Sequence, residues 1–117
     1  MIDSENEYVQ SATAVLEELG FKVYLNAAVE GLSGLVHVFD IVARKPDRIV
    51  YVSVKPSTPL NILAEVAKSL DVKGEVFIAA VGEVDRGMRV DYNGKRLKIV
   101  DVKSPRDLAD KLREALA

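Results

Sequence analysis

The chain has 117 residues, of which 49% are hydrophobic and 29% are charged, and its formal net charge is −2. These values are typical of one folded domain, so we predict a single domain over residues 1–117. No apolar run approaches the roughly 20 residues that cross a bilayer, and the N-terminus does not resemble a signal peptide. We therefore expect a cytoplasmic protein without membrane contact. The single glutamine among many charged residues favours a thermophilic source.

The cysteine and histidine content limits the chemistry that the chain can carry. Cysteine is absent, which excludes disulfides, thiol catalysis and zinc–thiolate sites. His37 is the only histidine, which excludes zinc sites built from several imidazoles. Carboxylate-bound Mg²⁺ or Mn²⁺ remains as the metal that fits this composition.

Charge is unevenly distributed along an acidic chain. The isoelectric point of about 5.4 argues against a uniformly basic nucleic-acid-binding protein. Residues 1–40 contain seven acidic residues and one basic residue, whereas residues 41–117 contain eleven and fifteen. The basic residues of the second part could contact phosphates or could be ordinary solvated side chains. They include Arg44, Lys45, Arg48, Lys55, Arg86, Arg89, Lys95, Arg96 and Lys98.

The first half of the chain predicts a helix followed by three strands. Apolar residues recur at three- and four-residue steps in the helix, and Gly20 ends it. The later strands are rich in β-branched residues and flank the turn sequence Lys45-Pro46-Asp47, which predicts a hairpin. The predicted elements are a helix over 4–19, a strand over 21–29, a loop over 30–34, and hairpin strands over 35–44 and 48–55.

The second half predicts alternating helices and strands. Thr58 and Pro59 begin a helix that ends near Leu70, and its apolar stripe is expected to face the sheet. Residues 82–93 fit a short helix or a hairpin, and the spacing of their apolar residues favours the helix. The apolar stripe of the helix that begins at Thr58 contains Leu60, Ile62, Leu63, Val66, Ala67 and Leu70. Strands are predicted over 76–81 and 95–102, and a last helix is predicted from Ser104-Pro105. The predicted fold class is α/β, with a mixed central sheet flanked by helices.

The hairpin carries polar residues where its pattern predicts apolar ones. If Lys45 pairs with Arg48 around the turn, Asp40 lies opposite Ser53, and Lys55 lies on the diagonal. A buried carboxylate is costly unless it is paired, hydrogen-bonded or bound to a cation. This cluster is therefore either a structural ion pair between Asp40 and Lys55 or part of a metal-dependent active site.

Glu5 is a candidate for a second carboxylate in that site. It lies three and four residues before Tyr8 and Val9, so it extends the apolar face of the first helix and is expected to face the sheet. Two carboxylates beside a lysine suit a divalent cation that polarises a phosphate. The alternative for Glu5 is a favourable charge at a helix N-terminus.

The predicted hairpin and the loop before it contain a short motif, which consists of Gly31, Ser33, Gly34, His37, Phe39 and Asp40, followed by Val52-Ser53-Val54-Lys55. This motif and the predicted α-β-β-β-α-β order together resemble the PD-(D/E)XK restriction-endonuclease-like superfamily, especially its small archaeal resolvase-like and Mrr-like members. The resemblance implies metal-dependent phosphodiester hydrolysis, with Asp40 as metal-binding aspartate, Lys55 as catalytic lysine and Glu5 as the acid from the first helix. It also places His37 near the site.

Ser53 departs from the family pattern, because the family has an acid at this position. A neutral hydroxyl is a weak magnesium ligand. Some members with Ser-x-Lys recruit an acid from the following helix, and Glu65 is the candidate here. It lies about 140° from the centre of the apolar stripe on a helical projection, so we expect it to face water.

Three functions follow from these observations. The first is a catalytically degenerate nuclease-fold domain that binds nucleic acid, which Ser53 favours. The second is an active endonuclease or junction resolvase that uses Mg²⁺ or Mn²⁺, and the third is a protein-interaction module. DNA is the expected partner in the first two, Arg44 and Arg48 are candidate phosphate contacts, and a homodimer is compatible with each.

Overall fold

The computed structural model describes residues 5–82 and 91–117. In these ranges helices flank one mixed sheet, which confirms the predicted α/β class and the α-β-β-β-α-β order of the first six elements. No helix in the described ranges is long and apolar enough to cross a membrane. The elements are α1 (Glu5–Glu18), β1 (Lys22–Glu30), β2 (Val36–Lys45), β3 (Arg48–Pro56), α2 (Pro59–Leu70), β4 (Glu75–Val81), β5 (Tyr92–Asn93), β6 (Leu97–Val102) and α3 (Pro105–Leu116).

The sheet has the strand order β1-β2-β3-β4-β6-β5. Strands β1, β2 and β3 pair antiparallel, whereas β3, β4 and β6 pair parallel, because α2 connects β3 to β4 as a crossover. The predicted hairpin register is confirmed from Lys45 with Arg48 to Ile41 with Val52.

The two faces of the sheet support separate clusters of buried residues. One face packs against α1 and α3 through Val50, Val52 and Val54, which alternate along β3. The other face packs against α2 and includes Tyr51 and Ile62. Because β3 is covered on both faces, its apolar residues are consecutive from Ile49 to Val52, which is typical of a central strand, and the buried Ser53 interrupts them.

Helices α2 and α3 begin with the same capping pattern, a hydroxyl residue followed by proline. Thr58 accepts a hydrogen bond from the Asn61 amide at 3.2 Å, and Ser104 accepts one from the Asp107 amide at 3.0 Å. Each cap is followed by a proline in the first helical turn, where the missing amide proton has no intrahelical partner to lose. Both predicted helix starts are therefore observed.

The predicted orientation of α2 is wrong. Its inward face contains Ile62 but also Glu65 and Ser69, which are only 3% and 1% exposed. Leu60, Leu63 and Leu70, which were expected to face the core, are exposed. The prediction assumed that the apolar stripe faces the sheet. The sheet surface beneath α2 instead contains polar groups, which form hydrogen bonds with Glu65 and Lys68 of the helix.

The region after β4 is only partly described. Residues 83–90 lie outside the described ranges, so the predicted short helix over 82–93 falls largely on them. Tyr92 and Asn93 form the short strand β5, which pairs antiparallel with Ile99 and Lys98 of β6. The described end of this region is therefore a hairpin around Gly94.

Candidate active site at the fork between two strands

The site lies where β2 and β3 stop pairing with each other. Their ladder ends at Ile41 with Val52, whereas β2 continues beside β1 as far as Val36 and β3 continues beside β4 as far as Pro56. We call the opening between the two strands beyond this last pair the fork. Backbone groups at the fork lack a ladder partner from the neighbouring strand, so side chains can approach them.

Asp40 occupies the fork from the β2 side. Its Oδ2 atom accepts a hydrogen bond from the Val54 amide at 2.7 Å, in place of a backbone carbonyl. The Lys55 ammonium lies 3.5 Å from the same oxygen. Pairing between β1 and β2 also passes directly from Leu25 with Ile41 to Ala27 with Phe39, so Asp40 lies at an interruption on that side too. The carboxylate therefore bridges the two strands where the sheet opens.

Glu65 reaches the fork from α2. Its Oε1 atom accepts a hydrogen bond from the Ser53 hydroxyl at 2.6 Å, and Ser53 is fully buried. The expectation that Glu65 faces water is wrong. The buried hydroxyl of Ser53 requires a hydrogen-bond partner, and Glu65 supplies an acceptor for it.

Lys68 completes this set of side chains, one turn after Glu65 on α2. Its ammonium lies 3.0 Å from Glu65 Oε2 and donates to the Val38 carbonyl at 2.9 Å. It also lies 5.4 Å from the centre of the Phe39 ring. Lys68 thus balances the charge of Glu65 and connects α2 to the β2 side of the fork. Sequence analysis missed this residue, since its only sequence signal is the Glu-x-x-Lys spacing.

Glu5 does not face the sheet as expected. It is the first residue of α1 and its side chain is exposed. At a helix N-terminus an acidic residue interacts favourably with the unpaired backbone amides, which accounts for its position without a role in the site. The acid that contacts the hairpin residues comes from α2, not from α1.

His37 takes part in a separate cluster. Its Nε2 atom lies 2.7 Å from Asp71 Oδ2, and the Ser33 hydroxyl donates to the same oxygen at 2.6 Å. These hydrogen bonds, from Ser33 first and His37 second, hold the pKa of the Asp71 carboxyl below its ordinary value. Gly31 passes so close that a β-carbon would overlap the Asp71 carboxylate. The cluster fastens the loop between β1 and β2 to the end of α2.

Arg44 and Arg48 lie at the other end of the hairpin. Arg48 precedes Lys55 by seven residues on one strand, a separation of about 23 Å. Its guanidinium forms two hydrogen bonds with the Glu75 carboxylate and a third, at 3.2 Å, with the Leu116 carbonyl. The hydrogen bond with Arg48 lowers the pKa of Glu75, and the same pair raises the pKa of Arg48. Arg48 is therefore engaged in a structural contact away from the fork, while Arg44 is exposed.

The fork contains two carboxylates, those of Asp40 and Glu65. Within residues 5–82 and 91–117 no three acidic or histidine side chains are grouped closely enough to enclose a metal. Asp40 and Glu65 supply one carboxylate each, and Mg²⁺ commonly takes one or two protein carboxylates while water and substrate phosphate fill its other positions. The two carboxylates are therefore of a donor type that Mg²⁺ uses, and both already have partners in the protein.

Comparisons with known proteins relate the chain to others by fold. No family model matches the sequence, and no curated protein matches it. A crystal structure of the protein of unknown function AF1548 matches with a TM-score of 0.52 and 22% identity over 69% of this chain. A chain from the assembly of Thermococcus gammatolerans McrB AAA+ hexamers with bound McrC matches with a TM-score of 0.59 and 12% identity over 97% of this chain. The chain spans 50% of the first protein and 33% of the second, and at these identities the likeness shows the fold alone.

Proposed function

We propose that the chain is a PD-(D/E)XK nuclease-fold protein that hydrolyses phosphodiester bonds in DNA with Mg²⁺ or Mn²⁺. The observation that carries this proposal is the buried hydrogen bond between Ser53 and Glu65, which brings an acid to the position where the sequence has serine. Lys55 follows Ser53 by two residues on β3 and lies 3.5 Å from Asp40, the residue to which the resemblance gives the metal-binding role. Glu65 then takes the part that the family gives to the acid two residues before the lysine.

Each side chain has a task that follows from its environment. Asp40 and Glu65 provide negative charge from opposite sides of the fork and would hold the cation. The cation would neutralise charge that develops on the phosphate. Lys55 is partly exposed and can donate to the attacking water or to a phosphate oxygen, while Lys68 positions Glu65. Hydrolysis transfers the water oxygen to phosphorus and releases the sugar oxygen with a proton.

The retained salt bridges favour a second candidate function, a catalytically degenerate domain that binds DNA. Both oxygens of Glu65 contact Lys68, and one also contacts Ser53, so the site is already neutralised by the protein. Such a domain would keep the Asp40–Lys55 pair as a structural contact. The two candidates predict different results when a divalent cation is added to the DNA complex. An active nuclease cleaves the DNA, whereas a degenerate domain binds it without cleavage.

Cleavage assays on linear, nicked and branched DNA with Mg²⁺ or Mn²⁺ test the proposal. We expect Asp40→Ala, Lys55→Ala and Glu65→Gln each to lower the rate on the order of a hundredfold or more, because each removes charge from the reaction centre. Glu5→Gln is the matched control, since it is the same substitution at an exposed glutamate, and it should keep full activity. Equal rates for Glu5→Gln and Glu65→Gln would refute the role of Glu65.

An exchange of the two side chains gives a stricter test. The double variant Ser53→Glu/Glu65→Ser moves the acid back to the strand and the hydroxyl to the helix. If an acid at the fork is what matters, the double variant should recover activity that Glu65→Ser lacks. DNA binding that weakens steeply with salt, without cleavage in any variant, would instead favour the degenerate domain.

A further inference from the structure

The outward face of α2 carries an apolar row that the fold leaves in water. Leu60, Leu63 and Leu70 are 80%, 66% and 74% exposed, and Ala64 and Ala67 between them are exposed as well. We call these five residues the α2 seam. Leucines or alanines at 60, 63, 67 and 70 follow the alternating three- and four-residue steps that bring helices together in coiled coils. An exposed row of this kind is unusual for a surface without a partner.

The inner face of α2 gives the helix little apolar anchorage of its own. Ile62 is its only buried large apolar side chain, Val66 packs against the same cluster while partly exposed, and the other buried positions are Glu65 and Ser69. All three leucines of this helix therefore lie on its outer side, where the fold leaves them exposed. A partner that covers the α2 seam would stabilise the helix that carries Glu65.

The α2 seam is complementary to itself. If two α2 helices cross antiparallel around a two-fold axis at position 65, the paired residue numbers sum to 130. Leu60 then meets Leu70 of the other copy, and Leu63 meets Ala67, so a large side chain faces a small one on each side of the axis. Alternating large and small residues across facing positions allow close packing, and an interface of this kind needs only one kind of chain.

The absence of charge on the α2 seam indicates which kind of partner can cover it. The exposed residues of α2 are Pro59 and the α2 seam, all without polar side chains. A nucleic acid would find no cation there, and a membrane-surface helix would instead show a charged outer face next to its apolar one. Leu32 and Val38, whose backbones contact Asp71 and Lys68 at the end of α2, are also exposed and extend the apolar surface.

We propose that the α2 seam is a homodimer interface in which two copies of the chain pack their α2 helices antiparallel. This interface does not depend on nuclease activity. A helix of twelve residues is only about 18 Å long, so the contact is smaller than a standard protein interface and the dimer dissociates on dilution. Two forks then lie on opposite outer sides of one helix pair.

Sedimentation velocity over a range of protein concentrations tests the dimer. The wild-type chain should shift from the monomer mass of 12.8 kDa towards twice that value as concentration rises. Leu63→Glu should weaken association roughly tenfold or more, because it places a charge against an apolar partner. Leu25→Glu is the matched control, since Leu25 is exposed on β1 away from the α2 seam, and it should dimerise like wild type.

The antiparallel pairing has its own test, since the chain has no native cysteine. An equal mixture of the Leu63→Cys and Ala67→Cys variants should form a disulfide-linked dimer under mild oxidation, more readily than either variant alone. Circular dichroism of Leu63→Glu checks that the variant is folded. A wild-type chain that stays monomeric at all concentrations overturns the proposal, as does cross-linking that the mixture fails to increase or dimerisation that Leu63→Glu leaves unchanged.

Discussion

Helices α2 and α3 begin with the same kind of cap, but the leucines of α3 face the sheet and the leucines of α2 face away from it. Both have a hydroxyl cap followed by proline, and both carry leucines at helical spacing. In α3 the leucines are buried against the face of the sheet that bears Val50, Val52 and Val54. In α2 the leucines face outward, because the strand face beneath it offers Ser53 and the fork. The orientation of a helix therefore depends on the surface that receives it as well as on its own pattern.

The polar groups at the ends of the two helices reinforce this contrast. The end of α3 is held by Arg48, which binds its Leu116 carbonyl and the Glu75 carboxylate. The end of α2 is held by Asp71, which binds Ser33 of the loop before β2 and His37 of β2 itself. One contact joins the end of a helix to the core strands β3 and β4, and the other joins the end of a helix to the loop before β2 and the first residues of β2.

The largest difference between the helices should appear in stability. Leu112→Ala in α3 leaves a cavity at a fully buried position and should lower the free energy of unfolding by about 3 kcal/mol. Leu63→Ala in α2, measured at concentrations where the chain is monomeric, should change it by less than about 0.5 kcal/mol. Urea unfolding followed by circular dichroism measures both. Similar losses would mean that Leu63 is buried in solution.

A smaller effect, of opposite sign, is expected at the fork. The double variant Ser53→Ala/Glu65→Leu removes a buried acid and its hydroxyl partner together, and Lys68 keeps the Val38 carbonyl and some solvent. Replacing both partners of a buried hydrogen bond by apolar groups can be nearly neutral or stabilising, and Lys68, which loses its carboxylate partner, is partly exposed and keeps a carbonyl acceptor. We therefore expect a gain of up to about 1 kcal/mol together with loss of cleavage. Glu65→Leu alone, which strands the Ser53 hydroxyl, serves as the comparison and should be less stable than the double variant. A double variant less stable than wild type would show that the polar contacts hold α2 in place.

The smallest effect should be the pH dependence of the stability that the Arg48–Glu75 ion pair contributes near the end of α3. The pKa of Glu75 is lowered in the folded chain from its ordinary value of 4.5, so its contribution to stability is complete above that pH and is lost as pH falls through the lower folded value. Glu75→Gln should therefore be less stable than wild type at neutral pH, and the two unfolding curves should converge in acid. A constant difference at every pH would contradict the assignment.

The elements of this fold were accessible from the sequence because they depend on neighbours in the chain. Caps at Thr58 and Ser104, the turn around Pro46 and the alternation along the hairpin are local, and the hairpin register was correct over every pair that forms. The position of Glu65 depends instead on three elements that meet in space. The inward face of α2 was predicted from its apolar residues alone, so the prediction did not include the hydrogen bond between Ser53 and Glu65 that fixes the rotation of the helix.

The sequence by itself determined the order of the first six elements, the hairpin register and the presence of Asp40, Ser53 and Lys55 on neighbouring strands. Only the tertiary structure decided that β2 and β3 part beyond Ile41, that Glu65 enters the opening, and that the leucines of α2 remain outside. The physical reason is that a fully buried hydroxyl and an interrupted ladder require hydrogen-bond partners. Those partners come from a helix whose rotation its own periodicity does not determine.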